Sequence, residues 1–177
     1  MLHKEPALLG KTLPSMYLTI TGGGTGIIPR LLEQGGASSY FVGADIPYSN
    51  DLTQQAWSSL FGNFPVKACS KEMAQFLAFL GENKMKMPGY QQNLLSIGVT
   101  ASLMKAEGER PDRLNEAYVC FNFNGSERNY HWVFDKTFEV ENLYCSPSRW
   151  KENVSRAMQE NLLVDKLYSA LVEILSE

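Results

Sequence analysis

The first half of the chain alternates apolar runs with polar, glycine-rich turns, a pattern that predicts a strand–helix–strand unit. Residues 16–20 form a short apolar run with β-branched members that is typical of a buried strand, and it stops at a series of glycines. The helix predicted next has four aliphatic residues on one face: Ile27, Ile28, Leu31 and Leu32. Gly35 and Gly36 are expected to end this helix. Residues 39–46 then predict a second strand, which Pro47 closes.

Two more helices are predicted before the next apolar run. Residues from about 51 to 61 have a helical pattern. Ser70 can cap the second of these helices by accepting a backbone hydrogen bond in its first turn. The buried stripe of that helix is predicted to consist of Met73, Phe76, Leu77 and Leu80. Residues 94–99 follow as a third strand.

The last third of the chain predicts antiparallel strands and a long terminal helix. Residues 117–124 and 130–134 are strand candidates, and Asn124-Gly125 between them is a strong hairpin signal. Ser146-Pro147 is predicted to open the terminal helix. Its apolar stripe comprises Trp150, Val154, Met158, Leu167 and Leu171. The charged stretch 105–115 is expected to be a surface loop between strands rather than a domain boundary.

The order β-α-β-α-α-β-β-β-α predicts an α/β fold, a three-layer α/β/α sandwich around a mixed sheet of about five strands. The chain has 177 residues, of which 44% are hydrophobic and 20% are charged. This length and composition suit one globular domain over residues 1–177 better than two small ones.

Charge and residue usage exclude several classes of function. Sixteen basic and nineteen acidic residues give a net charge of -3 without a basic stripe, so nucleic acid is not an expected partner. Three scattered cysteines, Cys69, Cys120 and Cys145, do not make a disulfide framework and fit a reducing cytosol. No apolar signal core or membrane-spanning run is present, which predicts a soluble, cytoplasmic protein without a membrane partner. With two histidines in the chain, neither a metal site nor a cofactor is expected.

The turn after the first strand, residues 21–26, reads Thr-Gly-Gly-Gly-Thr-Gly. Glycines let a backbone approach a ligand closely, and the start of the next helix offers unpaired N–H groups to an anion. The spacing fails the dinucleotide fingerprint and the phosphate-loop pattern, and the alternative is a tight structural turn. The interpretation we favour is a polar pocket for an anionic, nucleotide-like ligand. The turn residues predicted to contact that ligand are Gly22, Gly23, Gly24 and Thr25.

Polar residues after the second strand are expected at the same edge of the sheet. Tyr48, Ser49 and Asn50 follow that strand, and ligands of open α/β sheets bind at the carboxyl ends of the strands. The alternative for Ser49 or Asn50 is an N-cap of the next helix.

Two further groups complete the predicted ligand site. Thr100 and Ser102 close the third strand and bring hydroxyl groups to the same edge. Arg110 and Arg113, in the loop beyond, are candidate phosphate contacts, with solvated loop arginines as the alternative. Cys69 precedes a helix but has no histidine nearby in sequence to act as its base, so a buried thiol is the expected state.

Taken together, these residues resemble the C-terminal domain of the CinA family, whose better-known members are nicotinamide-mononucleotide amidohydrolases. The resemblance covers nearly the whole chain: the glycine-rich turn, residues 35–41, Tyr48-Ser49-Asn50 and residues 98–100. It implies the α/β fold predicted above and an amide-hydrolysing ancestry.

The resemblance also implies roles for single residues. The family's first motif is Glu-Ser-Cys-Thr-Gly-Gly, with the serine as presumed nucleophile, and an ungapped alignment places Ile20, Thr21 and Gly22 on its first three positions. The lysine thought to activate that serine corresponds to Thr53. Residues 101–104 replace the family's Gly-Ile-Ala-Gly-Pro stretch. Thr21 is therefore the candidate nucleophile, and Tyr48 or a lysine from elsewhere would have to replace the missing base.

Three hypotheses follow. The first is an amidohydrolase that releases ammonia from nicotinamide mononucleotide or a related phosphorylated nucleotide. The second is a catalytically silent nucleotide-binding or scaffolding module, and the third is a purely structural partner whose pocket is filled by side chains. A base within about 3.5 Å of the Thr21 hydroxyl would favour the enzyme. A homodimer, with the terminal helix as its interface, is also predicted.

Overall fold

The computed structural model describes residues 13–63, 67–104, 114–134 and 148–177, with the side chains of the last range described from residue 156. The elements are β1 (Ser15–Thr21), α1 (Ile27–Leu32), a 3-10 turn (Ala37–Ser39), β2 (Phe41–Asp45), α2 (Asn50–Phe61), α3 (Lys71–Lys86), β3 (Leu94–Ser102), β4 (Asn115–Phe123), β5 (Ser126–Phe134) and α4 (Ser148–Ser176). The predicted order of helices and strands is confirmed.

The five strands form one mixed sheet in the order β2-β1-β3-β4-β5. β1 is parallel to both of its neighbours, whereas β4 and β5 are antiparallel. The hairpin between β4 and β5 turns at Asn124 (φ 50°) and Gly125 (φ 88°). Left-handed backbone at both central residues is what a two-residue hairpin turn requires, which is why the Asn-Gly pair predicts it well.

Helices cover both faces of the sheet, as the predicted three-layer arrangement requires. The larger core lies on the face covered by α1 and α4. Its central members include Leu18, Ile20, Val99, Leu163 and Leu167. α3 packs on the other face through Ala74 and Ala78, against Cys120, while α2 packs on α3 through Trp57 and Phe76.

The close approach of α3 to the sheet depends on Gly98 of β3. A Cβ atom at this position would lie 2.0 Å from the Ala74 carbonyl oxygen and 2.4 Å from the Ala78 nitrogen. The backbone of α3 therefore occupies the space in which any other residue would place its side chain.

Several predicted boundaries are wrong; β5, for example, begins at Ser126 rather than at residue 130, because its pairing with β4 starts directly after the two-residue turn. The second strand begins at Phe41 rather than residue 39, because the chain first makes the 3-10 turn. Helix α1 ends before Gly35-Gly36, because the Gln34 N–H bonds to the Leu31 carbonyl three residues back and closes the helix early. Residues 105–113 of the predicted loop 105–115 and the predicted helix start at Ser146-Pro147 lie outside the described residues, and Asn115 already belongs to β4.

Candidate functional site

The glycine turn lies at the edge of the sheet where the parallel strands end. Thr21, the last residue of β1, pairs with Thr100 of β3. Gly22 and Gly24 then adopt left-handed backbone with φ of 85° and 94°, which directs the backbone N–H groups of the turn to one side. The turn leads directly into α1.

The backbone N–H groups of this turn bind a carboxylate of the same chain. The Gly24 N–H donates to both oxygens of Glu160, with N···O distances of 2.9 and 2.8 Å, and the Gly26 N–H donates to Oε1 at 3.2 Å. A Cβ atom on Gly23 would lie 3.0 Å from Glu160 Oε2 and 2.6 Å from Leu103 Cδ1, so glycine at this position leaves room for the carboxylate. The turn has the anion that its geometry favours, and the chain itself supplies it.

Two neighbours of Glu160 fasten α4 to the ends of β1 and β3. Arg156, one turn earlier, donates to the carbonyl oxygens of Met104 (2.8 Å) and Gly22 (3.2 Å). The Met104 N–H donates to Oε1 of the fully buried Gln159 at 2.8 Å. Sequence reasoning missed these three α4 residues, since nothing in the polar positions of a helix specifies which distant turn they contact.

An open cleft of about 380 Å³ remains beside the turn. It is lined by Gly22, Gly23, Thr25, Tyr48, Arg156, Ala157 and Glu160. Tyr48 is 62% exposed, so most of its ring is accessible to solvent. Four of the predicted site residues therefore line one cleft, and α4 provides its other wall. Gly24 is buried against Val99 and Leu167 beneath the turn.

The candidate nucleophile Thr21 has no activating base among the residues that the structure describes. Its hydroxyl makes no hydrogen bond to them, and its side chain is not among those that line the cleft. The Thr53 hydroxyl, at the position where the sequence resemblance implies a lysine, donates to the carbonyl oxygens of Pro47 (3.2 Å) and Ser49 (3.0 Å). Thr53 is buried and acts within its own helical turn rather than on Thr21.

Two of the polar residues predicted after the second strand belong to the start of α2 rather than to the cleft. Ser49 caps α2, because its side chain accepts the Leu52 N–H at 3.2 Å, which is the alternative that its sequence context left open. Asn50 is the exposed first residue of that helix. Neither residue lines the cleft.

Thr100 and Ser102 are both buried and lie outside the cleft lining. The Thr100 hydroxyl donates to the Ala68 carbonyl at 3.0 Å and so fixes the segment that enters α3. Arg110 and Arg113 lie outside the described residues.

Cys69 is the buried thiol that the sequence predicts. Burial, followed by the negative charge of Glu116, raises the pKa of Cys69 to about 11, and burial raises the pKa of Cys120 to about 12. With a pKa of about 11, only about one Cys69 side chain in a thousand is a thiolate at pH 8. The thiolate is the reactive form of cysteine, so Cys69 is expected to be unreactive.

We expect Cys69 and Cys120 to resist iodoacetamide in the native protein at pH 8. Both should be modified after unfolding in urea, which removes the burial that raises their pKa values. Peptide mass spectrometry of the two samples measures this. Rapid native labelling of Cys69 would contradict the buried, protonated thiol.

No protein-family model and no curated protein matches the chain by sequence. By structure, it is similar to the competence damage-inducible protein A (ComA) from Klebsiella pneumoniae, with a TM-score of 0.56 and 12% identity over 93% of this chain and 86% of that one. The competence/damage inducible protein CihA from Agrobacterium tumefaciens gives a TM-score of 0.55 and 14% identity with the same coverage. A CinA superfamily protein from Enterobacter cloacae gives 0.54 and 12% over 87% and 82%.

These similarities extend over most of each chain, at identities too low to indicate more than the fold. They confirm the predicted α/β fold as CinA-like, with a five-stranded mixed sheet and flanking helices. Among the described residues, no helix has the length and apolar character needed to cross a membrane.

Proposed function

We propose that this chain, which has the CinA-like fold, is a catalytically silent module that binds a small nucleotide-like molecule in the cleft between the glycine turn and α4. The observation that supports this proposal is the position of the Glu160 carboxylate on the Gly24 and Gly26 N–H groups. These are the donors that an amidohydrolase would need for the oxyanion of its intermediate.

The other requirements of amide hydrolysis are also unmet among the described residues. A threonine hydroxyl needs a base to become nucleophilic, and Thr21 has none as a hydrogen-bond partner. Glu160 would also repel the negative charge that develops on a carbonyl oxygen at the turn. A protein that binds its ligand without hydrolysing it needs the cleft, but it needs neither a base beside Thr21 nor free N–H donors in the turn.

The cleft walls define the class of ligand that we propose. The exposed ring of Tyr48 offers a face on which a planar heterocycle can stack. Arg156 retains N–H donors beyond its two carbonyl bonds, and the Thr25 side chain lies beside it in the lining. In this arrangement a nucleobase or nicotinamide ring stacks on Tyr48, and the phosphate binds the remaining donors of Arg156 rather than entering the turn.

The second candidate is the amidohydrolase that the sequence resemblance implies, acting on nicotinamide mononucleotide or a related phosphorylated nucleotide. One observation favours it: Thr21 ends β1 at the turn, at the carboxyl edge of the parallel strands, where ligands of such sheets bind. In this alternative Thr21 is the nucleophile and Tyr48 assists it.

One pair of measurements distinguishes the two candidates. We expect nicotinamide mononucleotide to bind in calorimetry without releasing ammonia above the Thr21→Ala background. Tyr48→Ala should weaken binding by about tenfold through the loss of the stacking surface. Tyr90→Ala, which removes a partly exposed tyrosine outside the cleft lining, should bind like the parent.

Ammonia release that disappears in Thr21→Ala would establish the amidohydrolase and refute the silent module. Absence of both binding and release would refute both candidates for this ligand.

The homodimer and the cytoplasmic location stay predictions. Met158 and Leu162, exposed one turn apart on α4, would suit a dimer interface.

A further inference from the structure

Helix α2 carries apolar side chains that the fold leaves exposed to solvent. Nine of its twelve residues are exposed. Leu52 and Leu60 lie about two turns apart, on the side of the helix that carries Ala56, which contacts α3. Phe61, at the C-terminal end of α2, contacts Phe79 of α3 with a ring-centroid distance of 6.0 Å. Leu52, Leu60, Phe61 and Phe79 together form the α2 face.

The α2 face is large enough to belong to an interface. The exposed fractions are 57% for Leu52, 54% for Leu60, 57% for Phe61 and 38% for Phe79. These side chains leave roughly 400 Å² of apolar surface in water, a patch size that is often functional in soluble proteins. A standard interface buries about 800 Å² on each partner, of which about 60% is apolar. The α2 face therefore supplies most of the apolar area that such an interface needs.

The charge of α2 is the second sign of an interface. Its twelve residues include a single charged side chain, Asp51 at the N-terminal end, whereas 20% of the whole chain is charged. The other polar residues of α2 are the neutral asparagine, threonine, glutamine and serine. A solvent-exposed helix is normally rich in charged residues, and their depletion is the compositional signal of the core of a protein interface.

The same charge pattern suits a second copy of the chain. When two α2 helices pack antiparallel about a two-fold axis through their centres, the two Asp51 residues lie about 14 Å apart along the helix direction. Like charges therefore do not meet, and the apolar side chains of one copy contact those of the other. A membrane surface is a poorer match, because helices that bind anionic lipid carry lysine or arginine on their polar face and α2 has neither.

We propose that the α2 face is the contact surface of a homodimer, with the α2 helices of the two copies antiparallel across a two-fold axis. The exposed pair on α4, Met158 and Leu162, is a smaller patch, since each side chain is 38% exposed. Asp165, exposed one turn beyond Leu162, would also have to be desolvated in a contact there. The α2 face does not have this cost at its centre.

Sedimentation equilibrium of the full chain, at concentrations from about 1 to 100 μM, tests the proposal. We expect the parent to form dimers. Leu52→Glu and Leu60→Glu each place a carboxylate in the contact and should weaken the dimer at least about tenfold. Leu162→Glu, the matched control, makes the same change at the exposed leucine of α4 and should dimerise like the parent.

Several outcomes would overturn the proposal. One is a parent that stays monomeric at about 100 μM, and another is a dimer that neither Leu52→Glu nor Leu60→Glu weakens. Dissociation by Leu162→Glu alone would place the interface on α4. A monomeric parent that binds vesicles of phosphatidylcholine and phosphatidylserine would assign the face to a membrane surface.

A milder variant keeps the test valid if a glutamate variant unfolds. Leu60→Gln adds no charge and keeps a residue that favours helix, so it should leave the monomer folded and weaken the dimer several-fold. Far-UV circular dichroism of each variant identifies loss of fold. A folded Leu60→Gln that dimerises as tightly as the parent would contradict the contact at Leu60.

Discussion

Replacing Gly22 by alanine is expected to remove a large part of the stability of the folded state. The added Cβ atom would lie 1.9 Å from the carbonyl oxygen of Ala101, in the neighbouring strand β3, and the residue would keep a φ of 85°. Left-handed backbone alone costs an alanine about 1–2 kcal/mol. Relief of the overlap requires β1 and β3 to separate, and overpacking that shifts backbone typically costs about 1–3 kcal/mol.

The sum, about 2–5 kcal/mol, reaches the lower end of the stability of an ordinary domain, about 5–15 kcal/mol. Soluble yield and urea unfolding of Gly22→Ala measure the effect. Gly36→Ala is the matched control, because Gly36 has a φ of 84° but no atom within 4 Å of its Cβ position. The control should lose only the backbone term of about 1–2 kcal/mol. Equal unfolding midpoints for the two variants would show that the close approach to Ala101 is not the cause.

Replacing Glu160 by glutamine is expected to lower the free energy of unfolding by about 2–3 kcal/mol. Glutamine keeps the size of the side chain but removes the charge that the Gly24 and Gly26 N–H groups share. Its amide NH₂ group would also face at least one of these donors in place of an acceptor. Hydrogen bonds to ionised groups are about twice as strong as neutral ones, so the loss should be well above that of a surface change.

Urea unfolding at neutral pH measures this change. Glu173→Gln is the control on the same helix, since Glu173 is exposed on α4, and it should change stability by no more than about 0.5 kcal/mol. If Glu160→Gln is as stable as Glu173→Gln, the carboxylate does not hold the turn. Glu160 would then contact the N–H groups of the turn without stabilising the fold.

The same contact should also affect the ligand binding that we propose for the cleft. Because Glu160 and Arg156 lie one turn apart on α4, the helix that holds the glycine turn also forms a wall of the cleft. Glu160→Gln, which loosens the contact of α4 with the turn, should therefore weaken both the fold and ligand binding. Tyr48→Ala should weaken ligand binding alone. Comparing the two variants separates the support of the cleft from its contact surface.

The local pattern of residues was sufficient to predict the order of helices and strands. Apolar periodicity and the Asn124-Gly125 turn depend on contacts and backbone angles within a few residues. Predictions based on them therefore do not require knowledge of the rest of the fold. The N-cap of α3 by Ser70 was predictable for the same reason. Predictions at element ends were less accurate, because the Gln34 bond that closes α1 competes with the glycine signal beyond it.

The turn itself could be identified from residues 21–26, and its preference for an anion follows from glycines placed before a helix. What occupies it could not be predicted, because Glu160 lies 136 residues from Gly24 along the chain and reaches it only when α4 packs on the sheet. Likewise, the sequence shows that residue 53 is a threonine where the resemblance implies a lysine, but only the folded structure shows that its hydroxyl binds two carbonyl oxygens. Local sequence predicts where a strand, a turn and a helix form, whereas the chemistry of this site depends on which distant side chain fills the turn.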